Sequence, residues 1–91
     1  SEAKAPDDGT FFLWRSMIDQ LDHELINIIA HRLTVGKRVQ EYKKMRALPV
    51  LDEDRERELE RSYDGWIREV GIREAGAVKE ILRTIIKEVK K

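Results

Sequence analysis

The stretch WRSMIDQLDHELINIIAHRLTVGKRVQEY, residues 14–42, decides how this chain folds. Its apolar residues Trp14, Ile18, Leu21, Leu25, Ile28, Val35, Val39 and Tyr42 recur in alternating steps of four and three, the period of one helix face. No proline interrupts residues 11–43, and Thr10 or Asp8 is placed to cap the start. Gly36 is the one weak helix former of consequence, costing about 1 kcal/mol relative to alanine, which a helix of this length absorbs. The spacing therefore predicts a single long helix.

Outward from that stretch, Pro49 and the run Met45 to Leu51 break the pattern. Asp52 then reads as an N-cap, with Glu53, Asp54 and Glu56 in a first turn where the helix dipole favours negative charge. A second helix follows with Leu59, Tyr63, Trp66, Ile67 and Val70 as its apolar face, closed by Gly71 in the manner of a left-handed cap. The last helix starts at about Arg73, with Ala75, Val78, Leu82, Ile85 and Val89 on one face, flanked by Ile81 and Ile86. It runs into the basic residues Lys87, Lys90 and Lys91. The expected fold class is all-α, one long helix and two shorter ones. Residues 1–10, rich in small and acidic residues with Pro6 and Gly9, read as a flexible leader or the stump of a fusion, and residues 11–91 as one helical domain.

Length turns this into an argument about assembly. A helix over residues 11–43 is about 50 Å long at 1.5 Å per residue, while a compact globule of 91 residues is about 30 Å across. Two shorter helices do not cover such a seam, so its remaining apolar surface, Leu13 and Trp14 included, calls for a second chain. An intertwined homodimeric helical bundle is the simplest arrangement.

Composition narrows the function. The chain has no cysteine, which removes disulfides, thiol catalysis and cysteine-based zinc sites. It has no membrane-length apolar segment and no signal peptide pattern, so a cytoplasmic protein without a membrane partner is expected. Eighteen basic and eighteen acidic residues balance overall but not locally: residues 31–46 are basic and residues 52–60 acidic. The basic run lacks aromatics for base stacking and meets the acidic block at once, so nucleic acid is not expected as a partner. His23 and His31 lack the spacing of a metal pair, no serine lies in a nucleophile elbow, and no glycine-rich phosphate loop occurs. No metal and no cofactor are expected.

One seam position breaks the apolar pattern. The step of four from Ile28 arrives at Arg32, after which Val35 and Val39 resume the seam. A buried guanidinium needs a partner, supplied either by a structural ion pair or by an anionic ligand whose carboxylate its planar fork suits. Lys43 lies three turns beyond Arg32 on the same face, which favours an anion. Arg15 pairs with Asp19 at i,i+4 or joins such a site; Arg55 and Glu56 belong to a solvated first turn or to that site as well.

These residues carry a resemblance. The stretch LWRSMIDQLD (residues 13–22), then Arg32 followed by Lys43, then PVLDEDRE (residues 49–56) are similar to the small all-helical class of chorismate mutases, over residues 11–91. The resemblance implies intertwined homodimers that convert chorismate to prephenate, a Claisen rearrangement within one molecule on the route to phenylalanine and tyrosine, without metal or covalent intermediate. It implies Arg32 on one substrate carboxylate and Arg15 on the other from the partner chain. Lys43 would hold the ether oxygen and a carboxylate, and Asp52 and Glu56 would receive the hydroxyl with Arg55 beside them. The family's polar position on the last helix falls on Val89, and its glutamine one turn later would fall past Lys91. A catalyst weaker than its relatives is expected unless Lys90, Lys91, further chain or an activating or fused partner enzyme substitutes. Two other readings stay open: a lyase splitting isochorismate on a similar scaffold, which the Asp52, Arg55, Glu56 cluster disfavours, and a non-catalytic helical dimerisation or regulatory module.

Overall fold

A computed structural model describes residues 7–91 and holds them in three helices, with no strand among the described residues. The helices are α1 (Asp8–Met45), α2 (Glu53–Val70) and α3 (Ala75–Val89). By internal contacts the chain divides into two units, Ser1–Arg32 and Leu33–Lys91.

The first unit consists, among its described residues, of the opening turns of α1 and the residue before them. The helix starts earlier than the sequence suggested, because the cap is Asp7 rather than Asp8 or Thr10. The Asp7 carboxylate accepts from the Thr10 N–H at 2.7 Å, and this backbone bond holds its pKa below the ordinary value. Residues 8–10, expected in the leader, are thus helical; residues 1–6 of that leader lie outside the described ones. Along this part of α1 the seam residues Trp14, Ile18, Leu21, Leu25 and Ile28 are all about half exposed or more. Each would contribute about 1.5–3 kcal/mol on full burial, and an isolated helix without such burial is marginal in water.

The second unit holds the end of α1 with α2 and α3. After Met45 the Leu48 N–H bonds the Lys43 carbonyl (2.8 Å) and the Ala47 N–H the Lys44 carbonyl (3.2 Å), the paired bonds of a Schellman ending. That ending needs a left-handed residue, and Ala47 supplies it at φ 52° despite its Cβ. At the start of α2 the Asp52 carboxylate accepts from the Arg55 N–H at 3.0 Å, the cap read from the sequence. Gly71 ends the helix at φ 82° with its N–H on the Ile67 and Arg68 carbonyls. The last helix begins at Ala75, slightly later than expected, and Glu74 before it makes no side-chain cap.

Helices α2 and α3 pack together, with Tyr63, Ile67 and Val89 as the buried residues and Leu59, Val78, Leu82, Ile85 and Ile86 half-buried around them. Trp66, Val70 and Ile81, which the periodicity assigned to or beside the apolar faces, remain largely exposed. A ladder of charge runs alongside. Glu56 meets Lys90 (2.7 Å), Glu60 meets Arg83 (3.1 Å) and Lys79 (3.3 Å), and Asp64 meets Lys79, an order that makes the two helices antiparallel.

Two backbone predictions follow from the caps. Ala47→Gly should stabilise the protein by about 0.5–1 kcal/mol in urea unfolding, since it relieves the left-handed strain. Gly71→Ala should destabilise it by about 1 kcal/mol, a purely conformational cost because a Cβ there meets nothing within 4 Å. A third concerns pH. The Asp64 carboxylate, chiefly, and Glu60 raise the Lys79 pKa above its ordinary 10.5, against a smaller opposing effect of burial. The ammonium's contribution is then complete below the unfolded-state value and lost as pH rises through the higher folded one. The melting-temperature gap between wild type and Lys79→Met should shrink as pH is raised beyond about 10.5.

Candidate functional site

Two residues of the site expected from the sequence lie in the first unit. Arg15 is exposed, and its guanidinium stands over the Phe11 ring at 5.5 Å from the centroid. Among the described residues it makes no ion pair with Asp19, so the i,i+4 pair considered for it does not form; the aromatic face one turn back takes its charge instead. Arg32 is half-buried, and no carboxylate among the described residues pairs with it. The structural ion pair that would make Arg32 a routine seam residue is therefore not found among the described residues.

Helix geometry sets the relation of these two arginines. They are seventeen positions apart on one continuous helix, which puts their Cα atoms about 25 Å apart along the axis and about 100° apart around it. Even with both side chains extended toward one another, two groups so placed do not close on the carboxylates of one small molecule.

The remaining candidates belong to the second unit. Lys43, half-buried in the last turn of α1, donates from Nζ to the Val50 carbonyl at 3.1 Å and so ties the loop after Pro49 back to the helix. Asp52, Arg55 and Glu56 are brought together by the first turn of α2. Asp52 is engaged as its cap through the Arg55 N–H, and Arg55 turns its guanidinium to Glu58 at 2.5 Å. Glu56 also receives the end of α3, because Lys90 donates to its Oε1 at 2.7 Å. Val89, beside Lys90, is buried and presents no polar group. Its burial fits an anchor for the helix end.

Lys90 is the residue of this cluster to which sequence reasoning gave no partner. It lies 34 positions from Glu56; the sequence placed it among the terminal lysines and as a possible substitute for the missing glutamine, not as a partner of Glu56. A signal did exist, since Glu56, Glu60 and Asp64 recur every four residues on α2 and face Lys79, Arg83 and Lys90 on α3. The depression on α2 lined by Glu53, Glu56, Arg57, Glu60 and Arg61 is an open groove on one helix face and mixes both signs of charge. Among the described residues, no group of three or more His, Asp or Glu side chains is placed to hold a metal ion, and no helix is long and apolar enough to cross a membrane.

Each unit contributes cations, Arg15 and Arg32 in the first, Lys43 and Arg55 in the second, and the second adds the Asp52 and Glu56 carboxylates. Cations of this kind are suited to a small polyanion. Comparison with known proteins agrees with that chemistry: the family model described as chorismate mutase type II matches residues 14–91, which take in all of α2 and α3 and most of α1. The comparisons with curated proteins and with solved structures gave no match. On its sequence, its three helices and the extent of that match, the chain belongs to the chorismate mutase type II family of small all-helical isomerases.

Proposed function

We propose that the chain converts chorismate to prephenate as a homodimer, each active site being built from both chains. Arg32, Lys43, Asp52, Arg55 and Glu56 come from one chain and Arg15 from the other. The observation that carries this reading is the separation of Arg15 from Arg32 along a single helix. Two arginines about 25 Å apart serve one dicarboxylate only if they belong to different chains. The exposed seam of α1 supports the same conclusion, because Trp14, Ile18, Leu21, Leu25 and Ile28 need a cover that a second copy supplies symmetrically.

The reaction breaks a C–O bond and forms a C–C bond within one molecule, so the protein has no proton or group to transfer. Its tasks are to hold the substrate in a compact, chair-like conformer and to stabilise negative charge that grows on the ether oxygen. Arg32, with no ion-pair partner among the described residues, has its charge available for one carboxylate, and Arg15 of the second chain for the other. Lys43 serves the ether oxygen, moving its ammonium from the Val50 carbonyl by rotation of a flexible side chain. Glu56 accepts the hydroxyl proton in a hydrogen bond, and the capped backbone at Asp52 lies one turn before it.

Loss of one charged transition-state contact costs about 10²–10³ in rate where water is excluded. Arg32→Ala should therefore reduce chorismate turnover by about that factor, measured as kcat/KM. Arg15→Ala should behave alike. Equal amounts of the two inactive variants, unfolded and refolded together, should recover about a quarter of wild-type activity, since half the dimers are mixed and each holds one intact site. No recovery would place both arginines in one chain's site. Arg32→Met should keep the melting temperature or raise it while abolishing turnover, because it removes an unpaired, partly buried charge.

A further inference from the structure

We infer that Lys90 is the positioning residue for the Glu56 carboxylate, and that its ammonium makes that carboxylate tolerable beside a dianionic substrate. The inference rests on the functional reading above and concerns a residue to which that reading gives no role. Glu56 is the one acid assigned to the substrate hydroxyl, and it stands in a site whose substrate already carries two negative charges. An ionised carboxylate without a counter-charge would repel that substrate, at a cost that grows as water is excluded.

The structure answers this with one cation. Lys90 Nζ donates to Glu56 Oε1 at 2.7 Å, and Oε2 takes no bond among the described residues. One oxygen is thereby fixed and the other left to accept a hydroxyl. Of the nearby cations, Arg55 pairs with Glu58, Arg57 with Asp54, Arg83 with Glu60 and Glu80, and Lys79 with Glu60 and Asp64; Lys90 is the one that pairs with Glu56 among the described residues. The pair is partly sheltered, with Lys90 27% and Glu56 47% exposed. It is also well placed. Val89 is buried next to Lys90 and anchors the end of α3, while the negative end of α3 favours the lysine and the positive start of α2 favours the glutamate.

Repulsion between Glu56 and the substrate's charges acts on the bound ground state and on the transition state alike, so its signature is in KM rather than kcat. With the full chain and chorismate, Lys90→Met should raise KM about tenfold with kcat within about threefold of wild type. Lys90→Arg should restore KM to within about twofold. The decisive comparison adds Glu56→Gln. Once the carboxylate is gone, Lys90→Met should raise KM by less than about twofold over Glu56→Gln alone.

An unchanged KM in Lys90→Met would overturn the inference. So would an equal rise in both backgrounds, which would mean that Lys90 touches the substrate itself. A fall in melting temperature with KM intact would reduce Lys90 to a packing residue. Lys90→Gln repeats the comparison if Lys90→Met does not fold. Wild-type protein that turns over no chorismate would remove the functional reading and the role of Lys90 with it; active wild type with indifferent variants would remove the role of Lys90 alone.

Discussion

The exposed apolar seam of α1, from Trp14 to Ile28, is the constraint on which the rest depends. The part of α1 in the first unit, residues 8–32, extends about 37 Å, and its large seam residues from Trp14 to Ile28 are about half exposed or more. Hydrophobic side chains in that number are not left to water by a stable helix, because propensity alone barely holds one. A second chain is the proposed cover. In the proposed dimer the separation of Arg15 and Arg32 along that helix assigns each to a different site.

Charge is used differently in the two parts of the chain. Along α2 and α3 it is paired internally, rung by rung, and such half-exposed pairs contribute modestly to stability while fixing the order in which the helices meet. In the seam, Arg32 has no ion-pair partner among the described residues, as the proposed role on a substrate carboxylate requires. A catalyst for a rearrangement without proton transfer consists of little more than held charges. In the proposed mechanism, keeping one guanidinium uncommitted therefore matters as much as placing it. Lys90 belongs to both uses, as the last rung of the ladder and as the counter-charge of a proposed substrate-binding carboxylate.

Several particulars were legible in the sequence for local reasons. Asp52 caps α2 because a short carboxylate just before a helix reaches the N–H three residues on, and Gly71 ends it because glycine alone adopts the left-handed cap without strain. Arg32 stood out because an intruder in a periodic pattern is visible without coordinates. The cap at Asp7 was missed in favour of neighbouring residues with equal capping power, a choice that rests on a single hydrogen bond. Ala47 gave no sign of its left-handed backbone, since nothing in an alanine announces it. Trp66, Val70 and Ile81 were assigned to or beside the packed faces, yet only Tyr63 and Ile67 on α2 and Val89 on α3 are buried.

Period, caps and composition, all properties of residues within a turn or two of one another, determined by themselves that the described residues form three helices without a strand, and motif spacing pointed to the family. Only the tertiary structure decided which partners the cations take. It set Arg15 over Phe11 instead of beside Asp19, Lys43 on the Val50 carbonyl, and Lys90 on Glu56 across 34 positions of chain. The physical reason is one of range. Helix formation is written in contacts three and four residues apart, whereas the partner of a long flexible cation is chosen by how distant segments come together.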